Sequence, residues 1–181
     1  MKKIIGYVLF TLALSTLALT GCSNVSTPAV GTVKPEWFDY ELTDAQTGEA
    51  FTMNDFSGKV VLLETMAMWC PNCVIQANEV RKLHDLLGNP DDLVSVSLDV
   101  DVNEDAASLK EYSEGYGLDW HFAVASLEVA RALGNLYSAQ YLNPPLSPML
   151  LIDREGNVLE LDYGLKKVDA LQQIVEPFLN P

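Results

Sequence analysis

The sequence predicts an α/β fold, a central mixed β-sheet flanked by helices and preceded by a small β-hairpin. Three observations predict it. Short apolar runs of strand length alternate with segments whose apolar residues recur at helical spacing, the pattern of a sheet covered by helices. One run, Val60-Val61-Leu62-Leu63, is continuously apolar, as expected of a central strand buried on both faces. The last two runs are joined by the turn Asp153-Arg154-Glu155-Gly156-Asn157, which brings the second back antiparallel to the first. At 181 residues the chain is long enough for one domain with a full core.

The elements follow in order. Met1-Lys2-Lys3 is positive, Ile4 to Leu19 is apolar with small residues interleaved, and Gly21 precedes Cys22. That is the three-part pattern of a secretory leader over residues 1–21, and its apolar run is short for a membrane span. Residues 22–33 are mostly small and polar, with Pro28, and read as a flexible tether. The folded domain is expected over 34–181. Phe38 to Leu42 and Ala50 to Met53 alternate apolar and polar around Asp44-Ala45-Gln46-Thr47-Gly48, a hairpin signal. After the Val60 strand, Val74, Ala77, Val80, Leu83 and Leu87 mark a helix that Gly88-Asn89-Pro90 ends. Leu93 to Leu98 is a second strand. Asn103 or Asp105 caps a helix to about Gly115, Trp120 to Ala125 is a short strand, and Leu127 to Tyr137 is helical. Met149 to Ile152 and Val158 to Leu161 form the closing hairpin, and Val168 to Phe178 is an amphipathic helix.

Charge excludes one function class. The formal net charge is −14, and loss of the leader with Lys2 and Lys3 takes it to −16. So acidic a domain is a poor nucleic-acid binder and gains nothing from an anionic membrane surface.

The chemistry is concentrated in Trp69-Cys70-Pro71-Asn72-Cys73. Two cysteines two residues apart at a helix start can close a small disulfide and reopen it. The unpaired N–H groups and positive dipole end favour a thiolate at Cys70, and a thiolate attacks disulfides. Half of a zinc site is the competing reading. No second cysteine pair exists, and His84 and His121 lie far apart in sequence, whereas structural zinc takes about four ligands. No metal or other cofactor is therefore expected beyond the Cys70–Cys73 pair itself. The chain has three cysteines, so a modified Cys22 leaves an even pair. Asp99-Val100-Asp101-Val102-Asn103-Glu104-Asp105 begins like a calcium loop, but Glu104 stands where glycine belongs and Lys110 where the bidentate acid belongs. It is better read as a strand end followed by a helix cap.

Two resemblances add to this reading. Leu19-Thr20-Gly21-Cys22 is similar to the lipobox of bacterial lipoproteins at every position. That resemblance implies cleavage before Cys22, a lipid on its sulfur, and a location outside the cytoplasm on the cell membrane. Gly58-Lys59-Val60-Val61-Leu62-Leu63, Ala67, the cysteine motif, and Pro148-Met149-Leu150-Leu151-Ile152-Asp153-Arg154-Glu155-Gly156 resemble the extracytoplasmic thioredoxin-like proteins of the TlpA/ResA type, over about residues 34–181. The resemblance implies a thioredoxin-like fold and a thiol–disulfide oxidoreductase, with an exposed nucleophile at Cys70 and a buried resolving thiol at Cys73. It implies a reductant of protein disulfides, fed by a membrane thiol donor and serving substrates such as apocytochrome c thiols. It also implies a cis bond between Ser147 and Pro148, with Pro148 against the disulfide.

Further residues acquire expected roles from the same likeness. Ser147 would offer its backbone N–H and C=O to an extended substrate strand. Trp69, Pro71, Asn72 and Met149 would flank the bound substrate. Glu64, six residues before Cys70, would carry the proton of Cys73, since a carboxyl buried beneath a dithiol has a raised pKa. The alternative is a Glu64 that points outward to Lys59. Met66, Met68 and Met149 raise a second function, Cu(I) delivery by soft sulfur ligands. Copper-delivery relatives, however, use a longer cysteine spacing and a histidine near Ser147-Pro148. A third, thiol peroxidase activity, calls for a threonine shortly before the cysteine, where Met66 and Ala67 stand.

Overall fold

A computed structural model describes residues 34–179. The expected leader over 1–21, Cys22 and the tether over 22–33 lie outside them. In chain order the strands are β1 (Leu42–Thr43), β2 (Ala50–Phe51), β3 (Val60–Met66), β4 (Leu93–Asp99), β5 (His121–Val124), β6 (Met149–Ile152) and β7 (Val158–Glu160). The helices are α1 (Pro71–Leu87), α2 (Ala106–Tyr116), α3 (Leu127–Leu136) and α4 (Val168–Leu179). The main sheet has the order β5-β4-β3-β6-β7. β4 runs parallel to β3 and to β5, while β6 is antiparallel to β3 and to β7, so the sheet is mixed as expected.

β3 is the centre of the molecule, and all seven of its residues are buried. Its alternation divides the core. Val60, Leu62 and Met66 pack with Cys73, Ala77, Val80 and Leu83 of α1 and Leu171 and Val175 of α4. Val61 and Leu63 pack on the other face with Val129 and Leu133 of α3 and with Trp37 and Phe38. Period-two geometry puts Glu64 on the side of Leu62 and Met66, beneath α1. The apolar run Val60–Leu63 is the first part of this strand, which continues through Glu64 to Met66.

The N-terminal hairpin is present but shorter than expected, with Leu42 opposite Phe51 and Thr43 opposite Ala50. Phe38 lies instead in a 3-10 turn, Glu36–Asp39, and Met53 opens another, Met53–Phe56. Thr52 and Asp55 form a capping box there, which ends the strand. Asp44 fastens the hairpin to β5 through His121, Oδ2 to Nδ1 at 2.6 Å.

Local chemistry sets the helix ends. Gly88 closes α1 in the left-handed conformation, at φ 71°, that favours glycine. Asp105, not Asn103, caps α2 by accepting the Ser108 N–H at 2.8 Å. Glu79 reaches across from α1 and accepts the Val168 N–H at 2.9 Å, at the start of α4. Two 3-10 turns that the sequence did not announce, Ala139–Leu142 and Pro144–Leu146, lead into β6. Among the described residues no helix is long and apolar enough to cross a membrane.

Candidate active site

β3 ends at Met66 and delivers the chain to the head of α1. Cys70 is the N-cap of that helix, and Pro71 occupies its first turn, where a missing N–H costs nothing. The Cys73 N–H points at Cys70 Sγ, 3.3 Å away. Cys70 and Cys73 are joined as a disulfide, with Cα atoms 5.4 Å apart. The dithiol therefore sits at the positive end of the helix dipole.

The exposed first cysteine is not what the structure shows. Cys70 is 0% exposed and Cys73 is 3% exposed. Both belong to the core cluster between β3 and α1, and hydrogen bonds fix the chain that flanks them. The Trp69 indole N–H donates to Asp101 Oδ2 at 2.7 Å, and the Met68 N–H donates to Glu104 Oε2 at 2.7 Å. On the opposite flank, Asn72 Nδ2 donates to the Pro145 carbonyl at 2.8 Å. Trp69 itself is exposed. It stands between a cleft of about 460 Å3 that reaches Cys70, Pro71, Ile75 and Tyr116 and a smaller one of about 190 Å3 beside Val102, Leu142 and Pro144. Trp69 and Pro71 thus border open surface near the disulfide. Asn72 spends its amide on the chain's own loop.

The Ser147–Pro148 expectation needs correction. The peptide bond is trans. Ser147 takes a left-handed conformation, φ 47° and ψ 56°, and its N–H closes the preceding 3-10 turn by donating to the Pro144 carbonyl at 2.8 Å. The chain thus turns into β6 through Ser147, and that N–H is not free for a substrate strand. Ser147 is 3% exposed, and its carbonyl accepts from Lys166 Nζ at 3.4 Å. Pro148 is buried, and its carbonyl accepts the Thr65 N–H at 3.2 Å. Met149 is also fully buried, opposite Glu64 in the sheet, so it lies beneath the surface that a substrate would touch. Met66 and Met149 fill the core around the dithiol, a common use of this flexible side chain.

Glu64 does lie inward rather than toward Lys59. It is 5% exposed, its backbone pairs with Ser97 and Met149, and Oε1 accepts the Ser97 hydroxyl at 2.7 Å. Burial pushes its pKa up to about 7; the Ser97 hydroxyl and the charge of Lys166 pull the other way. A carboxyl of that strength exchanges protons readily at neutral pH.

Several site residues escaped the sequence reading. Ser97 is an ordinary strand residue by pattern, yet it is fully buried and takes the Trp120 indole N–H at 2.9 Å. Asp99 is fully buried at the end of β4. Its pKa is pushed up to about 8, by burial first and then by a hydrogen bond with Glu104. The available signal was Gln76 and Glu79, polar residues on the buried stripe of α1; such residues call for partners. Gln76 finds one in the backbone of Lys166, and Glu79 in the start of α4.

Comparison with known proteins places this arrangement. The family model described as Redoxin matches residues 25–174. Thioredoxin from Bacillus subtilis is 27% identical over 133 residues, covering 74% of this chain and 94% of that protein. Among solved structures, a thiol:disulfide interchange protein of the thioredoxin family from Chlorobium tepidum is similar with TM-score 0.65 and 20% identity, covering 78% of this chain and 93% of that one. The exposed lipoprotein thioredoxin from Streptococcus pneumoniae is similar with TM-score 0.58 and 22% identity, covering 76% of this chain and 98% of that one. The structural likenesses establish a shared fold, and the family match spans most of the sequence, including both cysteines at the head of α1. The chain therefore belongs to the redoxin family, as a thioredoxin-like thiol–disulfide oxidoreductase.

Proposed function

We propose that this protein is a lipid-anchored, extracytoplasmic reductant of protein disulfides, of the TlpA/ResA type. The observation that carries the exchange chemistry is the place of the Cys70–Cys73 disulfide at the head of α1: both cysteines are buried, Cys70 caps the helix and lines the open cleft, and Cys73 lies inside the first turn. In the reduced protein, Cys70 thiolate attacks one sulfur of a substrate disulfide. An S–S bond forms to Cys70 and the other substrate sulfur leaves as a thiolate. Cys73 then gives its proton to Glu64 and attacks Cys70 Sγ. The second substrate sulfur leaves, and the Cys70–Cys73 disulfide remains. Two electrons have passed from the dithiol to the substrate.

The reducing direction rests on the resemblance to the TlpA/ResA type. A membrane thiol donor re-reduces the pair, and disulfides of extracytoplasmic proteins, oxidised apocytochrome c among them, are the substrates. The lipobox sequence supports attachment through Cys22.

One experiment tests place and chemistry together. Cys73→Ser expressed with its own leader accumulates disulfide-linked partners in the membrane fraction. Adding Cys22→Ala moves those adducts to the soluble extracytoplasmic fraction and removes lipid labelling. Adducts that stay with the membrane after Cys22→Ala contradict the anchor, and absence of adducts contradicts the exchange chemistry.

A further inference from the structure

The 3-10 turn Pro144–Leu146 rests on the head of α1, and its carbonyls explain the side chain at position 72 of the cysteine motif. In such a turn each carbonyl accepts the N–H three residues on. Asn143 O accepts the Leu146 N–H at 3.0 Å, and Pro144 O accepts the Ser147 N–H at 2.8 Å. The next carbonyl in the series, Pro145 O, calls for the N–H of residue 148, and Pro148 has none. Leu146 O is taken by the Gly164 N–H at 2.7 Å. Pro145 O is therefore left for a donor from another element, and Asn72 Nδ2 supplies it at 2.8 Å.

The same turn reaches the second sulfur. Pro144 is buried, and its carbonyl oxygen lies 3.7 Å from Cys73 Sγ. A carbonyl oxygen has two lone pairs, and the Ser147 N–H occupies only one. In the disulfide, Cys73 Sγ carries no hydrogen. Reduction gives it one, with this acceptor already within reach. A thiol can donate to a carbonyl; a thiolate cannot, and the oxygen repels it. Such an acceptor holds a cysteine in its neutral form and raises its pKa, in the same direction as burial. Cys70 meets the opposite chemistry, because the group aimed at its Sγ is a donor, the Cys73 N–H at 3.3 Å. Two cysteines in one helical turn are thus told apart by what faces them, an N–H for Cys70 and a C=O for Cys73.

We propose that Asn72 is a positioning residue for disulfide exchange: by fixing the Pro144–Leu146 turn to the helix head, it holds the Pro144 carbonyl against Cys73 and keeps that thiol protonated while Cys70 ionises. The inference rests on the reading of Cys70 as the attacking sulfur and Cys73 as the resolving one. The carbonyl holds the hydrogen without taking it. Cys73 therefore stays a thiol until the mixed disulfide has formed and its proton passes to a base. The other titratable groups packed around this turn of α1 are Cys70 on the same helix, Glu64 on β3, Tyr112 on α2 and Lys166 before α4. Uncharged substitutions of Asn72 leave all of them in place.

The test is the ionisation of each cysteine in the reduced full chain, read as the pH dependence of alkylation by iodoacetamide and assigned to each residue by peptide mass analysis. In the parent, Cys70 is alkylated from a lower pH than Cys73. Cys73 is then titrated alone in a Cys70→Ser background. There Asn72→Leu, which has the size of asparagine and no donor, is expected to lower the Cys73 midpoint by about one pH unit, a tenfold change in proton affinity. Asn72→Gln keeps an amide donor and holds the midpoint of the background. Asn72→Ala gives the same reading as leucine if the leucine variant fails to fold. In the chain that retains Cys70, the same substitutions leave the Cys70 midpoint in place. If Cys73 is alkylated before Cys70 in the parent, the assignment of the attacking sulfur fails and this inference with it. If Cys70 ionises first, but removing the Asn72 donor leaves the Cys73 midpoint unmoved, shifts both cysteines alike, or does no more than Asn72→Gln does, the Asn72 inference alone is overturned.

Discussion

Cys70→Ser is expected to abolish exchange, with a loss of more than about a thousandfold, the scale on which removal of a reacting nucleophile acts. The reason is local. Cys70 is the sulfur at the helix cap, facing unpaired N–H groups and bordering the cleft beside Trp69. A serine hydroxyl in its place is not a nucleophile toward a disulfide at neutral pH. Cys73 lies inside the first turn of α1 and does not line that cleft. Cys73→Ser behaves differently. Attack proceeds, one substrate thiol is released per protein, and turnover stops at the mixed disulfide. Stopped-flow release of the first thiol, followed by mass analysis of the adduct, checks both halves. A Cys70→Ser protein that still formed adducts through Cys73 would reverse the assignment.

Glu64→Gln is expected to change two properties through one group. The folded pKa is about 7, above the ordinary 4.5. Between those values the folded chain holds a proton that the unfolded chain has released, so this group makes stability fall as pH rises from about 4.5 to about 7. The shift corresponds to about 3 kcal/mol over that window. Asp99, raised to about 8 by burial and by Glu104, adds a slope of the same sign that continues to higher pH. Glu64→Gln removes the first part and leaves the second. The variant is therefore more stable than the parent at pH 8 and close to it at pH 4.5. Denaturant melts across pH read this directly. The same substitution slows resolution by Cys73 at neutral pH by about 10² to 10⁴, the usual share of general acid–base catalysis. Gain of stability with loss of rate separates a proton-handling carboxyl from a structural one.

The elements of the fold were legible because their signals are local. β3, β4 and β6 are apolar runs, α1 carries its apolar stripe and ends on Gly88, and α2 starts at a cap residue. The cysteine motif was legible for the same reason, since spacing alone places both sulfurs in one helical turn. What could not be read depends on residues that meet only in space. The chain flanking Cys70 is fixed by Asp101, Glu104 and the Pro145 carbonyl, which are 32, 36 and 73 residues from the groups they bind. Ser97, which sets the Glu64 proton, is 33 residues away from it, and Lys166 is 90 from the Gln76 that holds it. Ser147 is left-handed where the 3-10 turn Pro144–Leu146 ends and the Ser147–Pro148 bond is trans, and no local sequence signal marks either.

The most direct measurement of the central claim is the reduction potential of the Cys70–Cys73 pair, by equilibration against glutathione or dithiothreitol. A dithiol that serves as a reductant should lie near the reducing value of thioredoxin, about −270 mV, and pass electrons to substrate disulfides. A value near about −120 mV would contradict the account, since the protein would then donate disulfides and the electrons would run the other way.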